Sequence, residues 1–165
     1  MVVSALMLIG FLLLYLIIVY SVFFIISPTV IPNKIPGGME KAISDLKRKY
    51  RDKKQFLKKA FDFVNKRYQS YPLGFFRYPL RMFMTDLNTL WKTTGFQSCV
   101  NQNYILKAML IKSKRFKKSD IKTIPTTGLV FWPHQYLRVK TSNKWIDVDL
   151  WGADVGFKWG EHYGI

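Results

Sequence analysis

The 165-residue chain has one cysteine, Cys99, so no disulfide can form within it. It has only two histidines, His134 and His162, and with a lone thiol these make no zinc-ligand spacing. Neither a P-loop nor a Rossmann-type glycine pattern occurs, so a recognisable nucleotide-phosphate grip is excluded. Acidic residues are scarce, 10 against 26 basic, and no charge of either sign precedes Lys34. There is no internal repeat and no long low-complexity tract. A length of 165 residues allows one modest domain plus one extra element, and these absences leave no metal and no cofactor expected.

What is present divides sharply at Lys34. Val2 to Ile26 is uncharged and dominated by Leu, Ile, Val and Phe. About 20 apolar helical residues cross a bilayer, so a transmembrane helix is predicted over 1–27. The run is too long for a cleaved signal peptide and lacks its basic n-region. Lys34, Lys41, Lys47, Arg48 and Lys49 follow the span and no basic side chain precedes it. The positive-inside rule then predicts a single-pass membrane protein with its C-terminal domain in the cytoplasm. A free thiol fits such a reducing compartment.

Residues 28–38 hold Pro28, Pro32, Pro36, Gly37 and Gly38 and read as a linker. Over 39–70, Ile43, Leu46, Tyr50, Leu57, Phe61, Val64 and Tyr68 recur at helical spacing among Lys47, Arg48, Lys49, Arg51, Lys53, Lys54, Lys58 and Lys59. One basic amphipathic helix is predicted there, its apolar stripe on the domain core. Anionic lipid is a candidate partner for its basic face, at about 1 kcal/mol per Lys or Arg near the headgroups. Net charge is +16, so acidic protein segments and nucleic acid also come into view as partners. The membrane anchor makes nucleic acid a poor one, and the basic run Lys112 to Lys122 reads equally as a solvated loop.

The remainder, 71–165, is predicted to be an α+β domain. Ser70 to Pro79 breaks the helical pattern. Leu80 to Trp91 restores it, with Met82, Phe83, Leu87, Leu90 and Trp91 toward the core, and Thr93, Thr94 and Gly95 make a turn. Cys99 follows, just ahead of a run from Tyr104 to Ile111 that is hydrophobic nearly all round, the mark of a buried helix. Ser98 suits the N-cap. Cys99 then lies in the first turn, where the helix dipole and free N–H groups favour a thiolate. Small buried cysteines are common, so position alone leaves a plain core residue open.

Two strands follow. After Pro133, the segment HQYLRVK puts His134, Tyr136 and Arg138 on one face. In KWIDVDL, Trp145, Asp147 and Asp149 share a face. A tight hairpin around Thr141 and Ser142 sets His134 opposite Asp149 and Tyr136 opposite Asp147. A register shifted by two sets His134 opposite Asp147 instead, and two-residue periodicity cannot choose between them. Cysteine, histidine and carboxylate in this order supply what a thiol enzyme needs: a nucleophile, a base, and a group that orients the base. Against this stand the plainer readings of His134 as a satisfied strand histidine and of both aspartates as a solvated face. His162 reads as a surface or terminal residue.

Three segments, GFQSCVNQNYILKAMLI, FWPHQYLRVK and KWIDVDLWG, together resemble the transglutaminase-like branch of the papain-type cysteine protease superfamily. The last fits through Trp145, Val148, Asp149, Trp151 and Gly152. The resemblance covers about Leu80 to Gly152. It implies a minimal transglutaminase-like fold with the cysteine on a helix N-terminus and the histidine and aspartate on adjacent antiparallel strands. It implies Cys99, His134 and Asp149 as the catalytic set, favouring Asp149 over Asp147. The implied enzyme is a cysteine peptidase or protein-glutamine acyltransferase that forms a thioester at Cys99 from a protein or peptide substrate. The Cys99 N–H is one oxyanion donor, with Gln97 and Trp91 the candidates for a second. Ser98 stands where family members often carry Gln, which motivates the alternative of a catalytically inactive binding module. No acidic cluster points to calcium.

Overall fold

The computed structural model describes residues 7, 9–11, 13–15, 17–18, 21, 28, 30–71, 74–78, 80–81, 84–128 and 133–164. Most of the apolar Val2–Ile26 run lies outside these residues, as do Met82 and Phe83. Among the described residues no helix is long and apolar enough to cross a membrane. The longest, Lys53–Arg67, has 15 residues and is studded with lysine, whereas a span needs about 20 apolar ones. The predicted transmembrane helix and the single-pass localisation are corrected accordingly. The cytoplasmic placement of the C-terminal domain loses its premise with them.

The single basic helix predicted over 39–70 is two helices, α1 (Gly37–Lys49) and α2 (Lys53–Arg67). Asp52 breaks them apart: its carboxylate accepts the Gln55 N–H at 2.7 Å and caps α2. The C-terminal carbonyls of α1 are taken from a distance. The Arg115 guanidinium donates to the carbonyls of Tyr50 and of Lys47. Met39 and Ile43 of α1 and Phe56, Leu57, Ala60, Phe61 and Val64 of α2 turn inward.

Chain order continues through β1 (Tyr68–Gln69), α3 (Gly74–Arg77), α4 (Leu87–Lys92), β2 (Gly95–Phe96) and α5 (Cys99–Lys112). Strands β1 and β2 form a two-residue parallel pair. Helix α4 is shorter than the predicted 80–91 because it starts at the cap of Asp86, whose carboxylate takes the Thr89 N–H. Then come β3 (Ile121–Thr127), β4 (Pro133–Thr141), β5 (Lys144–Val148) and α6 (Leu150–Asp154). The three strands make an antiparallel sheet in the order β3-β4-β5.

Helix α5 is the axis of the domain, with 11 of its 14 residues buried. It packs against α2 on one side and β4 on the other. Ile105, Leu106, Met109 and Leu110 meet Phe56, Leu57, Leu137, Val148 and Leu150 in one core. Full burial of each such side chain contributes about 1.5–3 kcal/mol. This packing fixes where α5 begins, and Cys99 is its first residue.

Candidate active site

The N-terminus of α5 is built as its sequence dictates. Ser98 takes an extended backbone, and its hydroxyl accepts the Asn101 N–H at 3.3 Å. That leaves the Cys99 N–H outside the cap. Gln97 does not point into a site. Its Nε2 donates to the Thr93 carbonyl at 3.0 Å, and its Oε1 accepts from Asn101 Nδ2 at 3.2 Å. Trp91 stacks on Phe63 and takes the Arg67 guanidinium on its ring, so it belongs to the helical core. Neither candidate is placed as a second oxyanion donor.

The β4–β5 hairpin departs from the predicted register. Thr141 pairs with Lys144, Lys140 with Trp145, Arg138 with Asp147 and Leu137 with Val148. The two-residue loop is Ser142–Asn143, and Ser142 takes a positive φ of 54°. This is the left-handed backbone that tight hairpin loops demand. In this register β5 ends at Val148, before reaching the level of His134, so the two residues are not a cross-strand pair. Asp149 instead leaves the strand to become the N-cap of α6, and this turn carries its carboxylate to His134.

The result is a compact polar cluster. His134 Nε2 and Asp149 Oδ2 are 2.8 Å apart. The same oxygen accepts the Tyr163 N–H at 2.9 Å, and the other, Oδ1, accepts the Gly152 N–H at 2.9 Å. Cys99 is the imidazole's other electrostatic partner. Burial alone disfavours the charged imidazolium. The hydrogen bond to Asp149, the charge of that carboxylate and the interaction with Cys99 outweigh it, and the His134 pKa is pushed up to about 10. Cys99, His134 and Asp149 are only 4%, 3% and 4% exposed.

Rings enclose the imidazole. Trp151 lies 5.4 Å away, tilted, and Tyr163 meets it edge-on at 5.8 Å. Trp151 and Tyr163 also pack on each other and, with Val100, around Cys99. Gly152 is required here, since a Cβ on it would lie 2.7 Å from Asp149 Oδ2. One turn along α5 from Cys99, Asn103 Nδ2 donates to the carbonyl of Gln135 at 2.8 Å. This bond ties the cysteine helix to the strand residue beside His134.

Asp147 has a different place. It pairs with Arg138 through two hydrogen bonds and accepts from His162 Nδ1 at 3.0 Å. His162 also stacks on Tyr136 with centroids 4.3 Å apart. Sequence reading missed Tyr163, Asn103 and this role of His162. The Tyr163 and His162 contacts come from an irregular C-terminal segment without periodicity. Asn103 carried a signal, as one of three consecutive amides, Asn101, Gln102 and Asn103, in the first turns of a buried helix.

The chain matches no family model, no curated protein and no solved structure. Among the described residues no group of three or more His, Cys, Asp or Glu could hold a metal ion.

Proposed function

We propose that the protein is a transglutaminase-like thiol enzyme acting on peptide or glutamine amide bonds through a thioester at Cys99. The observation that carries this reading is the buried His134 imidazole, held through Nε2 by the carboxylate of Asp149 and interacting with Cys99 at the start of α5. In the proposed reaction the Cys99 thiolate attacks the substrate carbonyl. The oxyanion that forms is stabilised by the Cys99 N–H. The imidazolium of His134 gives its proton to the leaving amine, the C–N bond breaks and a thioester remains. Water or an acceptor amine then loses a proton to His134 and attacks the thioester, and the thiolate leaves. Asp149 fixes the tautomer and stabilises the imidazolium throughout. Hydrolysis and transamidation share these steps.

A second reading is a binding module that retains the arrangement without turnover. It is favoured by the near-complete burial of all three groups. The pH dependence of Cys99 alkylation, with and without His134→Ala, separates the two. The enzyme reading expects rapid alkylation well below pH 8, and in His134→Ala a shift toward the free-thiol value of about 8.5. It also expects turnover to fall as pH rises past about 10, where His134 loses the proton that the leaving amine needs. Alkylation that follows a free thiol in the intact protein sinks the enzyme reading and leaves the binding module.

A further inference from the structure

The face of the sheet that carries His134 continues into a basic groove. Across β3 and β4, Thr126 pairs with His134, Ile124 with Tyr136 and Lys122 with Arg138. Across β4 and β5, Arg138 pairs with Asp147 and Lys140 with Trp145. Alternation along each strand puts all of these on one face. Arg138 lies four residues, about 13 Å, along β4 from His134. Beside it is a groove of about 500 Å³ lined by Lys122, Ile124, Arg138, Trp145, Asp147 and Gly160.

Its charges are unbalanced. Asp147 is its one carboxylate, and Arg138 and His162 already occupy it. Lys122 Nζ rests 4.8 Å above the Trp145 ring and has no carboxylate partner among the described residues. Lys140 adds a second exposed ammonium next to it. Trp145 is 40% exposed, and among the described residues its ring meets no partner beyond that lysine. A cation without a carboxylate partner over an exposed indole, in a groove that Ile124 also lines, fits a carboxylate on an apolar stem.

We propose that this groove is an exosite for an acidic peptide segment, through which the substrate protein is held while its amide reaches Cys99. Lys122 and Lys140 pair with glutamate or aspartate side chains, and Trp145 takes the aliphatic stem or an apolar neighbour. The chain's net charge of +16 draws such a segment in. Nucleic acid fits less well: single strands are gripped by several stacking rings along a groove, and this one offers a single indole. The word substrate rests on the thiol-enzyme reading, whereas the binding site itself does not.

The test is calorimetric titration of the full chain carrying Cys99→Ala with octaglutamate and with octalysine, repeated for Lys122→Glu, Trp145→Ala and the remote Lys49→Glu. Octaglutamate is expected to bind and to weaken with added salt. Lys122→Glu and Trp145→Ala should each cost about tenfold or more in affinity, the scale of losing a charged contact. Lys49→Glu makes the same change in net charge and should cost about twofold or less. The proposal is overturned if octaglutamate binds no better than octalysine, or if the two charge reversals weaken it equally. It is also overturned if Lys122→Glu abolishes binding of oligothymidylate or phosphatidylserine vesicles and spares octaglutamate. Octaglutamate bound at this groove by a protein whose Cys99 proves unreactive keeps the exosite and removes the enzyme.

Discussion

Gly152→Ala sets two physical effects against each other. Gly152 lies in the short helix α6, where replacing glycine by alanine ordinarily gains about 1 kcal/mol. At this position the new methyl would sit 2.7 Å from Asp149 Oδ2 and 2.8 Å from its Cγ, closer than atoms can approach. The carboxylate must move away from the very N–H that holds it. Displacing it weakens the N-cap, worth about 1 kcal/mol, and strains charge-assisted bonds from His134 and Tyr163, each worth about 1.5–3 kcal/mol. Losses exceed the gain, so Gly152→Ala should lower stability by about 1–3 kcal/mol in urea unfolding at pH 7. Without a seated carboxylate the His134 pKa should also fall from about 10, and the pH profile of Cys99 alkylation should change with it. A variant as stable as the parent, with the same alkylation profile, would refute the claim that Gly152 makes room for Asp149.

Two further perturbations probe the support around the site. Asn103→Asp faces a carboxylate toward the Gln135 carbonyl that Asn103 now donates to, and should lower the urea midpoint by the equivalent of about 1–3 kcal/mol and slow Cys99 alkylation. Asp154 is held up, from an ordinary 3.8 to about 6, chiefly by burial, with the hydrogen bond from the Ser70 backbone pulling the other way. Between those values the folded chain keeps a proton that the unfolded chain has released, so this group costs stability as pH rises from about 4 to 6. The urea midpoint of the parent relative to Asp154→Asn should therefore fall across that interval, and a constant difference would show that the burial argument fails.

How much of this was legible in the sequence varies with the kind of signal. The N-cap Ser98, the apolar run behind it and the resulting position of Cys99 could all be read, because a cap and an all-round hydrophobic helix are local patterns. The strand carrying His134 could be read from its β-rich composition. Register could not, since it depends on which two residues form the loop, and the positive φ of Ser142 has no fixed sequence marker. The break between α1 and α2 was hidden because Tyr50 and Leu57 keep helical spacing across it. Asp52 followed three residues later by Gln55 was the capping signature that marks the second start. Strand β3 was missed because Lys112 to Lys122 read as a charged loop, although the strand begins at Ile121 within it. The apolar N-terminal run satisfied a length criterion, yet no described helix meets the requirement for crossing a membrane.

The enclosure of Cys99 by Val100, Trp151 and Tyr163 has a kinetic consequence. A thiol with so little surface meets a reagent only in the fraction of molecules whose enclosure has parted. An observed rate is then an intrinsic rate multiplied by that fraction, just as an affinity is reduced when the competent state is a minority. Substitutions at Tyr163 or Trp151 act on the fraction, and those at His134 on the chemistry. A small reagent and a protein substrate need partings of different width, so the same molecule can be quick toward one and slow toward the other.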